Sequence, residues 1–173
     1  MPIERKGVVT FKGNPLTLVG PALKPGDTAP EFSLLAKDLS EVRLSSFKGK
    51  TVLISVVPSL DTPVCNIQTK RFNEEAAKFP SQIVPLTVSV DLPFAQARWC
   101  GAEHVDRIKT LSDHRETAFG QAYGVLIKEL RLLARSVFVV NPAGKLAYVE
   151  YVSEVTSAPN YERALDALRS AVS

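Results

Sequence analysis

The feature that most constrains this chain is a pair of β-branched runs, TVLISVV (Thr51 to Val57) and IVPLTVSVD (Ile83 to Asp91), with one helix-like stretch between them. Runs that stay apolar, instead of alternating with polar residues, suit strands covered on both faces. Two such strands joined through a helix run parallel, because a tight turn can join only antiparallel neighbours. The chain is therefore expected to form an α/β sheet protein.

The flanking segments extend this frame. VVTFKGNPLTLVG (Val8 to Gly20) alternates apolar and polar residues around Gly13-Asn14-Pro15, which predicts a β-hairpin. GPALKPGDTAP is rich in turn formers and sets that hairpin apart as an appendage. EFSLLAKD and EVRLSSF predict short strands around Asp38-Leu39-Ser40. After Asp91 come helix-like PFAQARWCGAEHV, a short TLSD, helix-like ETAFGQAYGV, and an antiparallel pair, SVFVVN and KLAYVEYV, about Pro142-Ala143-Gly144. NYERALDALRSAV places Tyr161, Leu165 and Leu168 at helical spacing with Asn160 as N-cap. The order gives a mixed sheet flanked by helices, read as one domain over residues 1–173.

The 173 residues carry 21 basic and 18 acidic side chains without a basic block, which argues against nucleic acid or an anionic membrane as partner. The apolar run Val52 to Val57 is far short of the roughly 18 residues needed to cross a bilayer. No signal-peptide pattern opens the sequence, so a soluble, cytoplasmic protein is expected. Two cysteines are too few for a secreted disulfide framework.

One of them, Cys65, lies in PSLDTPVC, directly after the first buried strand. Thr62 is a favoured N-cap and Pro63 suits the first helical position, so Cys65 falls at the third. Val64, Phe72, Ala76 and Phe79 are expected on the inward face of this helix. Unpartnered N–H groups and the positive end of the helix dipole favour a thiolate there, and the thiolate is the nucleophilic form. A small buried hydrophobe is the competing reading. Sites in α/β folds lie at the carboxyl ends of strands, which favours the reactive one.

PSLDTPVC resembles the Pro-x-x-x-Thr-x-x-Cys pattern of peroxiredoxins, carried here by Pro58, Thr62 and Cys65. DLPFAQARWCGAEHV resembles the resolving-cysteine segment of the atypical two-cysteine bacterial thiol peroxidase family. LLAKDLS, QAYGV and the Val8–Gly20 hairpin extend the likeness to nearly the whole chain. IKELRLLARSVFVV departs from it, lacking the Gly/Pro-containing loop usual before the last hairpin.

The resemblance implies a thioredoxin fold of peroxiredoxin type with an added hairpin. It further implies reduction of hydroperoxides, thioredoxin as reductant, and a homodimer. By the same likeness Cys65 is the peroxidatic cysteine and Cys100 the resolving one, joined transiently as a disulfide. Thr62 offers a hydroxyl to the sulfur or the peroxide, Pro58 shields the thiolate, and Arg135 supplies a guanidinium. Arg71 and Arg98 are rival cations, Arg71 being roughly 9 Å along the helix from Cys65. A one-cysteine peroxidase with another reductant, and a thioredoxin-fold redox sensor or binding protein, remain open alternatives.

No cofactor or metal is expected. Cys100, His104 and His114 are too few for a structural zinc site, and both histidines are expected at the surface. The sequence offers neither a Gly-x-Ser-x-Gly nucleophile elbow nor a phosphate loop. Phe94, Trp99, Phe119 and Tyr123 are expected chiefly as core residues, some of them able to line an apolar mouth.

Overall fold

A computed structural model describes residues 2–172. Its centre is β5 (Thr51–Val56), the TVLISV part of the first run, with every residue buried. β5 pairs in parallel with β6 (Ile83–Ser89), and β6 in parallel with β7 (Lys109–Ser112). On its other side β5 meets β9 (Ser136–Val140) antiparallel, and β9 meets β10 (Leu146–Tyr151). The short strands β3 (Ser33–Leu35) and β4 (Glu41–Arg43) complete a seven-stranded mixed sheet, ordered β10-β9-β5-β6-β7-β3-β4. The helices are α1 (Pro63–Ala76), α2 (Pro93–Glu103), α3 (Ala118–Ala122) and α4 (Tyr161–Val172). The arrangement is the mixed α/β sheet expected from the pattern of runs and the thioredoxin fold implied by the peroxiredoxin resemblance.

Alternation along β5 and β9 divides the apolar residues between two cores. Leu53, Val137 and Val139 face a layer holding Cys65 and Phe72 of α1, Trp99 and Cys100 of α2, and Leu165 and Leu168 of α4. Val52, Ile54, Val56, Phe138 and Val140 face α3 and the amino-terminal hairpin. Asn160 caps α4 through Oδ1, which accepts the Arg163 N–H at 3.1 Å.

The hairpin runs from β1 (Glu4–Phe11) to β2 (Asn14–Val19), longer than its apolar alternation suggested. Its turn is Lys12-Gly13, both at positive φ, so Asn14 and Pro15 belong to β2. β2 pairs with β8 (Leu126–Ile127), and Val9, Leu16 and Leu18 seal one core. The hairpin also grips the chain beyond β10: Thr10 N–H donates to Ser153 O, and Val155 N–H to Thr10 O, each at 2.8 Å.

The loop lacking Gly and Pro closes as a tight turn. Arg131 takes the left-handed conformation, φ 55°, and its N–H donates to Ile127 O at 2.8 Å. Arg131 Nη2 donates to Thr117 Oγ1 at 3.3 Å, a tie that a glycine could not make. Phe94 departs from expectation: it is 66% exposed, pointing outward from the first turn of α2.

Candidate active site

Chain order at the carboxyl end of β5 builds the site. Beyond the last paired residue, Pro58 is buried and Ser59–Asp61 turn the chain. Thr62 then occupies the N-cap position in extended conformation, with Pro63 opening α1. Its hydroxyl makes no capping bond and donates to Ser59 O at 3.1 Å, leaving its lone pairs available to an incoming donor. Asn66 N–H donates to Thr62 O at 2.9 Å, which places Cys65 in the first turn of the helix.

α1 buries Cys65, Gln68, Thr69, Phe72 and Asn73. Of the residues expected on its inward face only Phe72 is fully buried; Val64, Ala76 and Phe79 are half-buried. Two of the buried polar groups hold partners. Asn73 Oδ1 accepts the N–H groups of Arg107 and Ile108 at 2.8 and 3.1 Å. Gln68 reaches the centre of the site.

Arg135 is the residue just before the neighbouring strand β9. Val56 pairs with Ser136, so Arg135 stands beside the point where β5 gives way to the loop of Pro58. Its Nη2 donates to Cys65 Sγ at 3.2 Å and to Val155 O at 2.9 Å. Nε donates to the same carbonyl at 3.0 Å, and Nη1 to Gln68 Oε1 at 2.9 Å. Gln68 Nε2 in turn donates to Ser55 Oγ at 2.7 Å. Arg135 is 2% exposed and Cys65 0%. Among the described residues no carboxylate pairs with Arg135, whose protein acceptors other than the sulfur are neutral. An isolated buried cation is costly, and an anionic sulfur at Cys65 would balance it.

Of the rival arginines, one has partners elsewhere and the other faces solvent. Arg71 pairs with Glu162 at 3.0 Å and lies over the Tyr161 ring, 5.1 Å from its centroid. Arg98 is exposed. Tyr161 packs edge-on against Phe72, and its hydroxyl is buried without a hydrogen-bond partner among the described residues. Burial pushes its phenol pKa up, against the pull of the Arg135 and Arg71 charges.

Cys100 lies near the carboxyl end of α2 and is 4% exposed. Its sulfur has a weak contact with Thr110 Oγ1 at 3.7 Å, and both cysteines are free thiols within one buried layer. Its carbonyl accepts the N–H groups of His104 and Val105, which closes the end of the helix, with His104 at φ 56°. His104 is exposed and His114 half-buried. Among the described residues no group of three or more His, Cys, Asp or Glu could hold a metal ion, and no helix is long and apolar enough to cross a membrane.

The structure thus brings Arg135 to Cys65 and puts Pro58 and Thr62 in the approach to the same helix. Gln68 and Ser55 were not singled out from the sequence. The available signal was a glutamine three residues after the cysteine, on the helical stripe that turns inward.

The model of the Redoxin family matches residues 24–165. A thiol peroxidase of Bacillus subtilis is 58% identical over 164 residues, covering 95% of this chain and 98% of that protein. A thiol peroxidase of Halalkalibacterium halodurans is 60% identical over the same length, with the same coverage. The crystal structure of a peroxiredoxin-like protein from Aquifex aeolicus superposes with a TM-score of 0.89 at 44% identity, covering 96% of both chains. Together with the thioredoxin fold and the cysteine at the start of α1, these likenesses establish that the chain belongs to the redoxin family and, within it, to the bacterial thiol peroxidases.

Proposed function

We propose that the protein reduces hydroperoxides with Cys65 as the attacking thiol. The observation that carries this reading is the buried Arg135 guanidinium, 3.2 Å from the Cys65 sulfur and without a carboxylate of its own. Such a cation favours a thiolate and can hold a peroxide oxygen beside it.

In the first step the thiolate of Cys65 attacks one oxygen of R–O–O–H. A sulfur–oxygen bond forms, the O–O bond breaks, and the electron pair leaves with the alkoxide or hydroxide. Cys65 becomes a sulfenic acid and the leaving oxygen takes up a proton. Arg135 stabilises charge on sulfur and leaving oxygen, Thr62 accepts a hydrogen bond from the peroxide, and Pro58 keeps bulk water off the sulfur. In the second step Cys100 attacks the sulfenic sulfur, giving a Cys65–Cys100 disulfide and water. A dithiol reductant of thioredoxin type returns both to thiols. A homodimer acting in the cytoplasm accords with this family membership.

The burial of Cys100 within a closed helix favours a second reading, in which an external thiol resolves the sulfenic acid. The variant Cys100→Ser separates the two. On the first reading it completes one peroxide turnover and then stops, with thioredoxin-coupled turnover lost. Sustained coupled turnover in that variant would eliminate the intramolecular disulfide, and an unreactive Cys65 in wild-type protein would eliminate the peroxidase.

A further inference from the structure

Asp91 lies between the two cysteine-bearing helices and belongs to neither. Parallel pairing of β5 with β6 places the loop of residues 57–62 beside that of residues 90–92. The Asp91 carboxylate spans the gap. Oδ1 accepts the Ser59 hydroxyl at 2.7 Å, while Oδ2 accepts the Leu60 N–H and the Ser89 hydroxyl, each at 2.8 Å. Behind it, the Asp91 N–H donates to Ser89 Oγ at 3.2 Å and the Asp91 carbonyl accepts the Ser112 hydroxyl at 2.5 Å.

Each anchored loop leads to a cysteine. Ser59 O accepts the Thr62 hydroxyl at 3.1 Å, so the fixed serine sets the threonine that opens α1. Leu92, next after Asp91, is the N-cap of α2, which carries Cys100. Gln96, one turn into α2, donates to Ser89 Oγ at 3.0 Å. One carboxylate therefore ties the entry of the Cys65 helix to the base of the Cys100 helix.

We propose that Asp91 is a positioning residue for both steps: it holds the Cys65 loop in the arrangement that meets peroxide and keeps α2 closed until that step is done. The proposal rests on the disulfide reading above. Oxidation needs Thr62 held in place. Cys65 and Cys100 are buried, unbonded and carried on different helices, so joining them as a disulfide calls for local movement of the backbone. Loss of a tie shared by both segments moves the two steps in opposite directions.

Stopped-flow fluorescence of Trp99, the single tryptophan and the neighbour of Cys100, can follow both steps after mixing with hydrogen peroxide. In Asp91→Ala the phase that depends on peroxide concentration is expected to slow about tenfold, the scale of a lost charged hydrogen bond, while the concentration-independent phase accelerates. Hydrogen exchange of the reduced variant should show lost protection at residues 60–66 and 92–100 together, with β5 and β6 unchanged. Asp91→Asn keeps an acceptor for Leu60 and should fall between wild type and the alanine variant. Phases that slow together, phases that do not move, or protection lost across the sheet would each overturn the latch. If Asp91→Ala does not fold, Asp91→Asn and Ser59→Ala carry the test, the second removing one of the two loop bonds to the carboxylate and leaving the Ser89 side intact, and an unchanged first phase in both overturns the proposal. A wild-type protein without the second phase would instead refute the disulfide reading, and hydrogen exchange alone would then judge the latch.

Discussion

Cys65 and Cys100 are almost equally hidden from water, yet their surroundings differ in kind. Cys65 sits in the first turn of a helix, under a guanidinium at 3.2 Å. Cys100 sits near the end of a helix, where the dipole is negative, with a hydroxyl contact at 3.7 Å. Burial alone therefore does not sort these thiols. A charged neighbour distinguishes Cys65, and it comes from Arg135, 70 residues further along the chain and just before β9.

The sharpest way to break this contrast is to exchange the sulfurs for oxygen. Cys65→Ser should reduce peroxide consumption to the uncatalysed background, while Cys100→Ser keeps a full first turnover in a rapid-quench assay. Equal losses in the two variants would erase the distinction. Next in size is Arg135→Met, expected to slow oxidation of Cys65 by about 10²–10³-fold, the scale of losing a preorganised donor at developing charge. A stopped-flow rate within a few-fold of wild type would show that the helix start alone activates the sulfur.

Gln68→Ala removes the neutral prop that orients Nη1 and should cost about tenfold in the same rate, one hydrogen bond to a charged group. Recovery in Gln68→Glu would show that the acceptor oxygen suffices and that neutrality at this position is not required. The smallest effect is expected at the other sulfur. Thr110→Val deletes only a weak contact and should leave both phases of the reaction within about twofold of wild type. A tenfold change would show that Cys100 is also tuned by its setting.

Much of the frame was legible because it depends on local pattern. TVLISVV announced a strand buried on both faces, and Thr62-Pro63 announced the helix start that holds Cys65. Arg135 was different: nothing in LARSVFVV marks that arginine, and only the family resemblance picked it out. Its role depends on the antiparallel register that sets Ser136 against Val56, a long-range fact that no local window contains. Gln68 was missed because the inward face of α1 was assigned by hydrophobicity, whereas the fold also buries Gln68, Thr69 and Asn73 there, Gln68 bonded to Ser55 and Arg135 and Asn73 to the backbone of Arg107 and Ile108. Phe94 failed in the opposite sense, a large aromatic left in solvent at the start of α2.

The family pattern begins at residue 24 and so omits the amino-terminal hairpin. Yet Val155, whose carbonyl receives two hydrogen bonds from Arg135, is itself held by the carbonyl of Thr10 in that hairpin. Cutting the gene down to the matched region would preserve every side chain of the site and remove the strand that steadies the arginine's anchor. For anyone building a minimal version of this protein, the place to cut is upstream of where the family pattern starts.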